Sequence, residues 1–270
     1  MLTFVWRDAR VDYSARLESD ALRKGYEGSN PSPSAMYHLW NLCYAVSMTA
    51  YFLAVFLSSI IWLGLFASRR DLRRKMWVTG LLLTPFVILD ILTVPSYWEP
   101  VTLFNIPVGL EGFLFTFFTT GIASVLYQII FKKRYEYHKI QLNLCIIFIV
   151  PAATSYLLVN FLNLNIIYFF ILSFFLSGIT EVLKRPDLYV NTIMSSLLFC
   201  FVYVTVFSLW LFLRPESINW WNTITLSRVK IGQVPLEEAL FSLGLGFFVG
   251  PLFEYITNAK LVTVVEMPNK

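Results

Sequence analysis

Pro235-Leu236-Glu237-Glu238-Ala239-Leu240-Phe241 places two adjacent carboxylates at the mouth of an apolar run that continues to about residue 257. Charge is costly inside a bilayer, so an acid at the entrance of a lipid-soluble helix is a functional candidate. Upstream, Pro107-Val108-Gly109-Leu110-Glu111-Gly112-Phe113-Leu114-Phe115 opens a similar run with a single acid. Leu110-Glu111 matches Leu236-Glu237, and Phe115 matches Phe241. Two such openings suggest an internal repeat with an acidic site between its halves.

The rest of the chain has the same character. Of its 270 residues, 57% are hydrophobic and 14% charged, with mean hydropathy +0.65. A soluble domain of that length has too little interior for so much apolar surface, so the chain reads as an integral membrane protein. Aromatic residues make up 17%, including 25 Phe, which suits packing against lipid or an apolar ligand. The net charge of +4 is small and sits in loops flanking the apolar runs, so no nucleic-acid partner is expected. Cys43, Cys145 and Cys200 lie in separate apolar runs and the two histidines are isolated, so no metal site is expected.

A helix needs about 20 residues to cross roughly 30 Å of hydrocarbon at about 1.5 Å per residue. Runs of that kind fall at about 42–66, 76–95, 107–131, 140–161, 165–183, 190–213 and 236–257, the fourth and fifth divided only by Asn163-Leu164-Asn165. Nothing shows the alternation of a membrane barrel. The expected fold is therefore all-α, with about seven transmembrane helices in two parallel three-helix repeats joined by one extra helix. The repeats are expected at 36–135 and 164–258, with the linking helix in 136–163 and a cytoplasmic tail at 259–270.

Residues 1–35 are polar and lack an apolar stretch for a signal peptide. Gly28-Ser29-Asn30-Pro31 is also one reading frame of the common transfer-RNA T-arm DNA. The segment is thus expected to be a mis-called start, with Met36 the initiator, or a disordered tail.

Basic residues orient the bundle. Arg69, Arg70, Arg73, Arg74, Lys75, Lys132, Lys133, Arg134, Lys139, Lys184 and Arg185 fall in loops on one side, where Lys260 and Lys270 also lie. Arg214, Arg228 and Lys230 fall on the other. The positive-inside rule puts the first group and the C-terminus in the cytoplasm and both acidic helix mouths on the non-cytoplasmic side.

On that side gather Asp90, Glu99, Glu111, Glu216, Glu237 and Glu238. Successive helix residues point about 100° apart, so one of Glu237 and Glu238 is expected to face the interior. An uncharged carboxylic acid in an apolar, aromatic cavity is what protonation of an alkene requires. Asp90 sits within Val87-Ile88-Leu89-Asp90-Ile91-Leu92 and is expected to face inward. Trp98, Trp220 and Trp221 suit an interfacial belt, and Trp98 also suits shielding of a carbocation.

Other classes are disfavoured. There is no GxGxxG or GKS/T loop for a nucleotide. Asp71, Asp90 and Asp187 are isolated, unlike the clustered aspartates that hold magnesium on a diphosphate. Lys260 lies beyond the last span, which argues against a retinal Schiff base.

With these residues in place, the chain resembles the flavin-independent lycopene cyclase domain family over about Met36 to Tyr255. The second repeat carries the family's Pro-x-Glu-Glu/Asp signature at Pro235, Glu237 and Glu238, followed by a helix ending Leu252-Phe253-Glu254-Tyr255. In the first repeat, Asp90 falls at the family's Trp-Asp position, but Leu89 replaces the Trp, Gly109 the signature Pro and Gly112 its second acid. The resemblance implies cofactor-independent cyclisation of a linear carotene end group, such as that of lycopene, to a β-ionone ring. It implies Glu237 as acid or cation stabiliser, Glu238 and Glu111 as electrostatic partners, and Asp90 as proton acceptor. Trp98, Pro235, Phe115 and Phe241 would contact substrate. Expected partners are the polyene and membrane lipid, with a homo-oligomer left open. A small-molecule transporter and a non-catalytic scaffold of the same fold are the competing readings, the scaffold favoured by Gly112.

Overall fold

The computed structural model describes residues 33–104, 106–136 and 144–263, with side chains over 49–104, 106–136 and 148–262. The expectations for residues 1–32, Lys139, the start of the fourth span and residues 264–270 lie outside the described residues. Residues 44–270 form one compact unit and residues 1–43 another. The site described below lies wholly within the former.

Among the described residues seven α-helices carry the fold: α1 Pro33–Ser68, α2 Arg73–Leu83, α3 Leu110–Ile130, α4 Leu144–Phe161, α5 Ile167–Lys184, α6 Tyr189–Leu213 and α7 Leu236–Thr257. The fold is an all-α membrane fold, because six helical segments among the described residues are long and apolar enough to cross a bilayer. α4 differs: its described apolar part, Phe148–Phe161, is shorter. Large apolar side chains such as Leu63, Leu157, Phe161, Leu183, Phe201 and Phe212 are exposed on the bundle's outside, where lipid would cover them.

The turn at Asn163-Leu164-Asn165 separates α4 from α5. Asn163 adopts φ +51°. The Asn165 Oδ1 accepts from the Ile167 amide at 3.0 Å, while its Nδ2 donates to Ser96 O and Thr225 Oγ1. The second span is not one α-helix. Pro85 cannot donate to the helical ladder, and α2 gives way there to a 3-10 helix, Thr84–Leu92, which carries Asp90.

Corresponding contacts recur in the two halves. The Arg69 guanidinium forks onto Asp71 at 2.9 and 2.7 Å and donates to Gln128 O and Lys133 O. Arg185 forks onto Asp187 at 2.8 and 2.6 Å and donates to Glu254 O and Ala259 O. Each arginine thereby ties the loop before one helix to the end of the next. The hydrogen-bonded fork also holds both guanidiniums charged beyond their ordinary range. Just past these helix ends, β1 Lys133–Glu136 pairs antiparallel with β4 Lys260–Thr263. At the opposite end, β2 Lys230–Ile231 and β3 Val234–Pro235 form a hairpin around Gly232, whose φ of +64° few other residues tolerate. Trp98 and Trp221 form a bridge there that joins the long loops of the two halves.

One expectation fails at the arginine end. Lys75 does not lie in a solvated loop; it is fully buried in α2 and its Nζ meets both carboxylate oxygens of Glu254 in α7. Gln128 Nε2 donates to the same carboxylate at 3.2 Å, and Glu181 is fully buried close by.

Candidate functional site

Pro235 caps α7 in an extended conformation, φ −56° and ψ 143°, so the next residues enter the helix already turned toward the bundle. Glu237 and Glu238 then diverge. Glu238 points into the space between the halves. Its Oε1 accepts from the Tyr97 hydroxyl at 2.6 Å and the Trp221 indole at 2.9 Å, and its Oε2 from the Tyr203 hydroxyl at 2.8 Å. The three donors come from three places: the loop after the 3-10 helix, the loop before β2, and α6. Burial pushes the Tyr97 phenol well above its ordinary range, which keeps its proton available to donate.

Glu237 takes a different part. Its Oε1 accepts the Ser227 amide at 2.7 Å and the Tyr168 hydroxyl at 3.1 Å. Glu111 does the same in the first half, accepting the Leu103 amide at 2.6 Å. Each of these acids folds its preceding loop onto the helix mouth. Each also has one buried oxygen, Oε2, with no hydrogen-bond partner among the described residues. Where α7 has Glu238, α3 has Gly112, and a Cβ there would lie 3.1 Å from Val87 Cγ2 and 3.5 Å from the Tyr51 hydroxyl.

A cavity of about 120 Å³ opens beside Glu238. Among the described residues, Asp90 and Glu238 are the acids in its walls, and no Lys, Arg or His lines it. Of the residues named above as candidates, Trp98, Phe115 and Phe241 line it, and Glu111, Glu237 and Pro235 do not. Sequence reasoning missed most of the aromatic lining. Tyr51, Tyr97, Phe170, Tyr203, Phe207 and Trp210 also line it, with Tyr203 and Phe207 stacked at 4.2 Å and Trp98 edge-on to Tyr51 at 5.7 Å. The signal for Tyr203 was present as the one phenol among the apolar residues of mid-α6, but nothing in the sequence ties it to Glu238. Asp90 accepts no hydrogen bond through its carboxyl from any described residue, and it is only half-buried at the cavity edge.

Such a cavity suits an apolar, electron-rich molecule between aromatic faces, with two carboxyl groups and no basic side chain among the described residues that line it. That is an environment for making and stabilising a carbocation. Among the described residues, no group of three or more His, Cys, Asp or Glu side chains is arranged to hold a metal ion.

Residues 164–256 match the sequence model of the lycopene cyclase family. This part of the chain is therefore similar to that family. No curated protein and no solved structure matches the chain. The matched stretch contains α5, α6, the Trp220-Trp221 loop and all of α7 but its last residue, so it holds Glu237, Glu238, Tyr203 and Trp221. The cavity also draws on Asp90, Tyr97, Trp98 and Phe115, which precede the match.

Proposed function

We propose that the protein is a membrane-embedded carotenoid cyclase. It converts a linear carotene end group, such as that of lycopene, to a β-ionone ring by acid catalysis without a cofactor. The observation that carries this reading is the pairing of Glu238 and Asp90 in one aromatic-walled cavity that no basic side chain lines among the described residues. The chemistry needs a carboxylic acid to protonate the terminal double bond, and a base to remove a proton after the neighbouring alkene closes the ring. Fixed negative charge and aromatic faces lower the energy of the cations between these steps. The product is an isomer of the substrate, so no redox partner is consumed.

The acid roles move relative to the sequence expectation. Glu238 and Asp90 face the substrate, while Glu237 and Glu111 hold the loops that roof the site. Trp98, Phe115 and Phe241 supply aromatic contacts. The distribution of basic residues supports a site toward the non-cytoplasmic face of the cytoplasmic membrane, with the C-terminus in the cytoplasm. The recurring arginine forks support reading the two halves as parallel repeats, each a three-helix unit, with α4 between them.

The test is expression of the whole chain in cells that accumulate lycopene, with pigments extracted and separated. Cyclic carotenes are expected from the wild type, and Glu238→Gln is expected to lower their yield at least about 100-fold. Lycopene left unchanged by correctly inserted wild-type protein would reject the cyclase reading in favour of a transporter or scaffold.

A further inference from the structure

We infer that the two cavity carboxyls divide the reaction between them: Asp90 delivers and takes back the proton, while Glu238 is a fixed anion that steadies the cation. Tyr97, Tyr203 and Trp221 are positioning residues that hold Glu238 in that role. This assignment rests on the cyclase reading above.

The argument is an inventory of hydrogens. Trp221 Nε1 can only donate, so Glu238 Oε1 is an acceptor. The Tyr97 and Tyr203 hydroxyls have no other acceptor among the described residues; with both donating, three protons fall on the two oxygens of Glu238. A proton on Glu238 would displace one of those donors and leave a buried phenol unpaired, which costs free energy. The arrangement is therefore that of a carboxylate caged by donors, and caged charge is the kind that acts by preorganisation.

Asp90 has the opposite surroundings. Among the described residues no group donates to its carboxyl and no basic side chain lines the cavity, and Glu238 already supplies one negative charge there. A second bare anion would have nothing to offset its desolvation, so Asp90 carries its proton in the resting site. It also projects from a 3-10 helix at the cavity edge, free to turn toward a bound alkene.

The steps balance. The Asp90 O–H bond breaks, and its proton is taken by the π pair of the terminal double bond, leaving a tertiary cation. The π pair of the next double bond forms the ring-closing carbon–carbon bond and passes the positive charge to a ring carbon. The Asp90 carboxylate removes a proton from the adjacent ring carbon, and that C–H pair becomes the ring double bond. Asp90 ends as it began, and Glu238 exchanges no proton.

A preformed cation separates the roles, because binding one needs the anion but no proton donor. The probe is N,N-dimethylgeranylamine, which is cationic at neutral pH, titrated against the full chain in lipid nanodiscs by tryptophan fluorescence. Myrcene serves as a neutral control of similar size and shape. Glu238→Gln is expected to weaken the cation about tenfold or more while myrcene binding holds within about threefold. Asp90→Asn is expected to bind the cation within about threefold of wild type, yet to lose at least about 100-fold in ring formation. Asp90→Glu, which restores a proton donor, is expected to recover part of that loss. Tyr203→Phe is expected to weaken the cation selectively over myrcene, a split that loosened packing alone would not produce. Asp90→Asn weakening the cation more than Glu238→Gln does, or Asp90→Asn still closing rings, overturns the assignment. Wild type that binds the cation through Glu238 but forms no ring defeats the cyclase reading and leaves the anion role of Glu238 standing.

Discussion

Lys75 Nζ sits 2.8 Å from both carboxylate oxygens of Glu254, and neither side chain is exposed. The pair joins α2 of the first half to α7 of the second. A third bond from Nζ to Gly250 O at 3.0 Å and a fourth contact from Gln128 Nε2 complete the satisfied set. Removing one partner strands the other as a buried charge. Lys75→Met is therefore expected to destabilise the protein by about 3–5 kcal/mol, and Lys75→Met with Glu254→Leu by distinctly less. Thermal unfolding in detergent, followed by loss of helical circular dichroism, reads the difference.

Glu181 lies beside that pair with both oxygens buried and without hydrogen-bond partners among the described residues. Such a group costs about 1–3 kcal/mol of desolvation that nothing returns. Glu181→Leu is expected to raise the unfolding temperature. A fall would mean that Lys75 depends on Glu181 as well as on Glu254, and the Lys75→Met variant measured beside it would then show the coupling.

α6 and α7 pack closely through small residues. A Cβ on Gly246 would stand 2.8 Å from Ser195 O and 3.0 Å from Ser196 Cα, both backbone atoms that have no rotamer to change. Gly246→Ala is thus expected to cost about 1–3 kcal/mol by forcing the helices apart, despite alanine's better helix propensity. At Gly64, where a Cβ meets nothing within 4 Å, Gly64→Ala is expected to stabilise slightly. Parallel melts of the two variants test this contrast.

Tyr97 predicts an alkaline effect. Its phenol titrates well above its ordinary 10.0 in the native protein because it is buried against Glu238. The unfolded chain ionises near the ordinary value while the native chain does not, so the stabilisation is complete below about pH 10 and is lost as pH rises further. The slope reaches at most about 1.4 kcal/mol per pH unit. Tyr97→Phe is expected to unfold with a shallower dependence on pH above 10 than wild type, measured as unfolding temperature between about pH 8 and 11.

The helices were legible because a bilayer imposes both length and apolarity, and those are properties of sequence alone. The break at Asn163-Leu164-Asn165 was legible for the same reason. Which of Glu237 and Glu238 meets the cavity was not, since helical periodicity gives their angular separation but not the direction of the bundle axis. Lys75 was misread because charge near a helix end usually means solvent, and only the packing of α7 against α2 supplies its partner. The Arg-x-Asp-Leu spacing shared by Arg69-Arg70-Asp71-Leu72 and Arg185-Pro186-Asp187-Leu188 is visible in sequence, but the fork each arginine makes onto its aspartate and a later helix end is not. Strands β1 and β4 carry no local signature, because each finds its pairing partner in a distant part of the chain.

The bridge between Trp98 and Trp221 gives the two halves a shared fate. Tyr97, one residue from the stitch, reaches Glu238 in the opposite half, and Asp90 looks across the same gap. Mutational drift in either half is therefore felt by the other, and two copies of one half would assemble a roof without the matched acids beneath it.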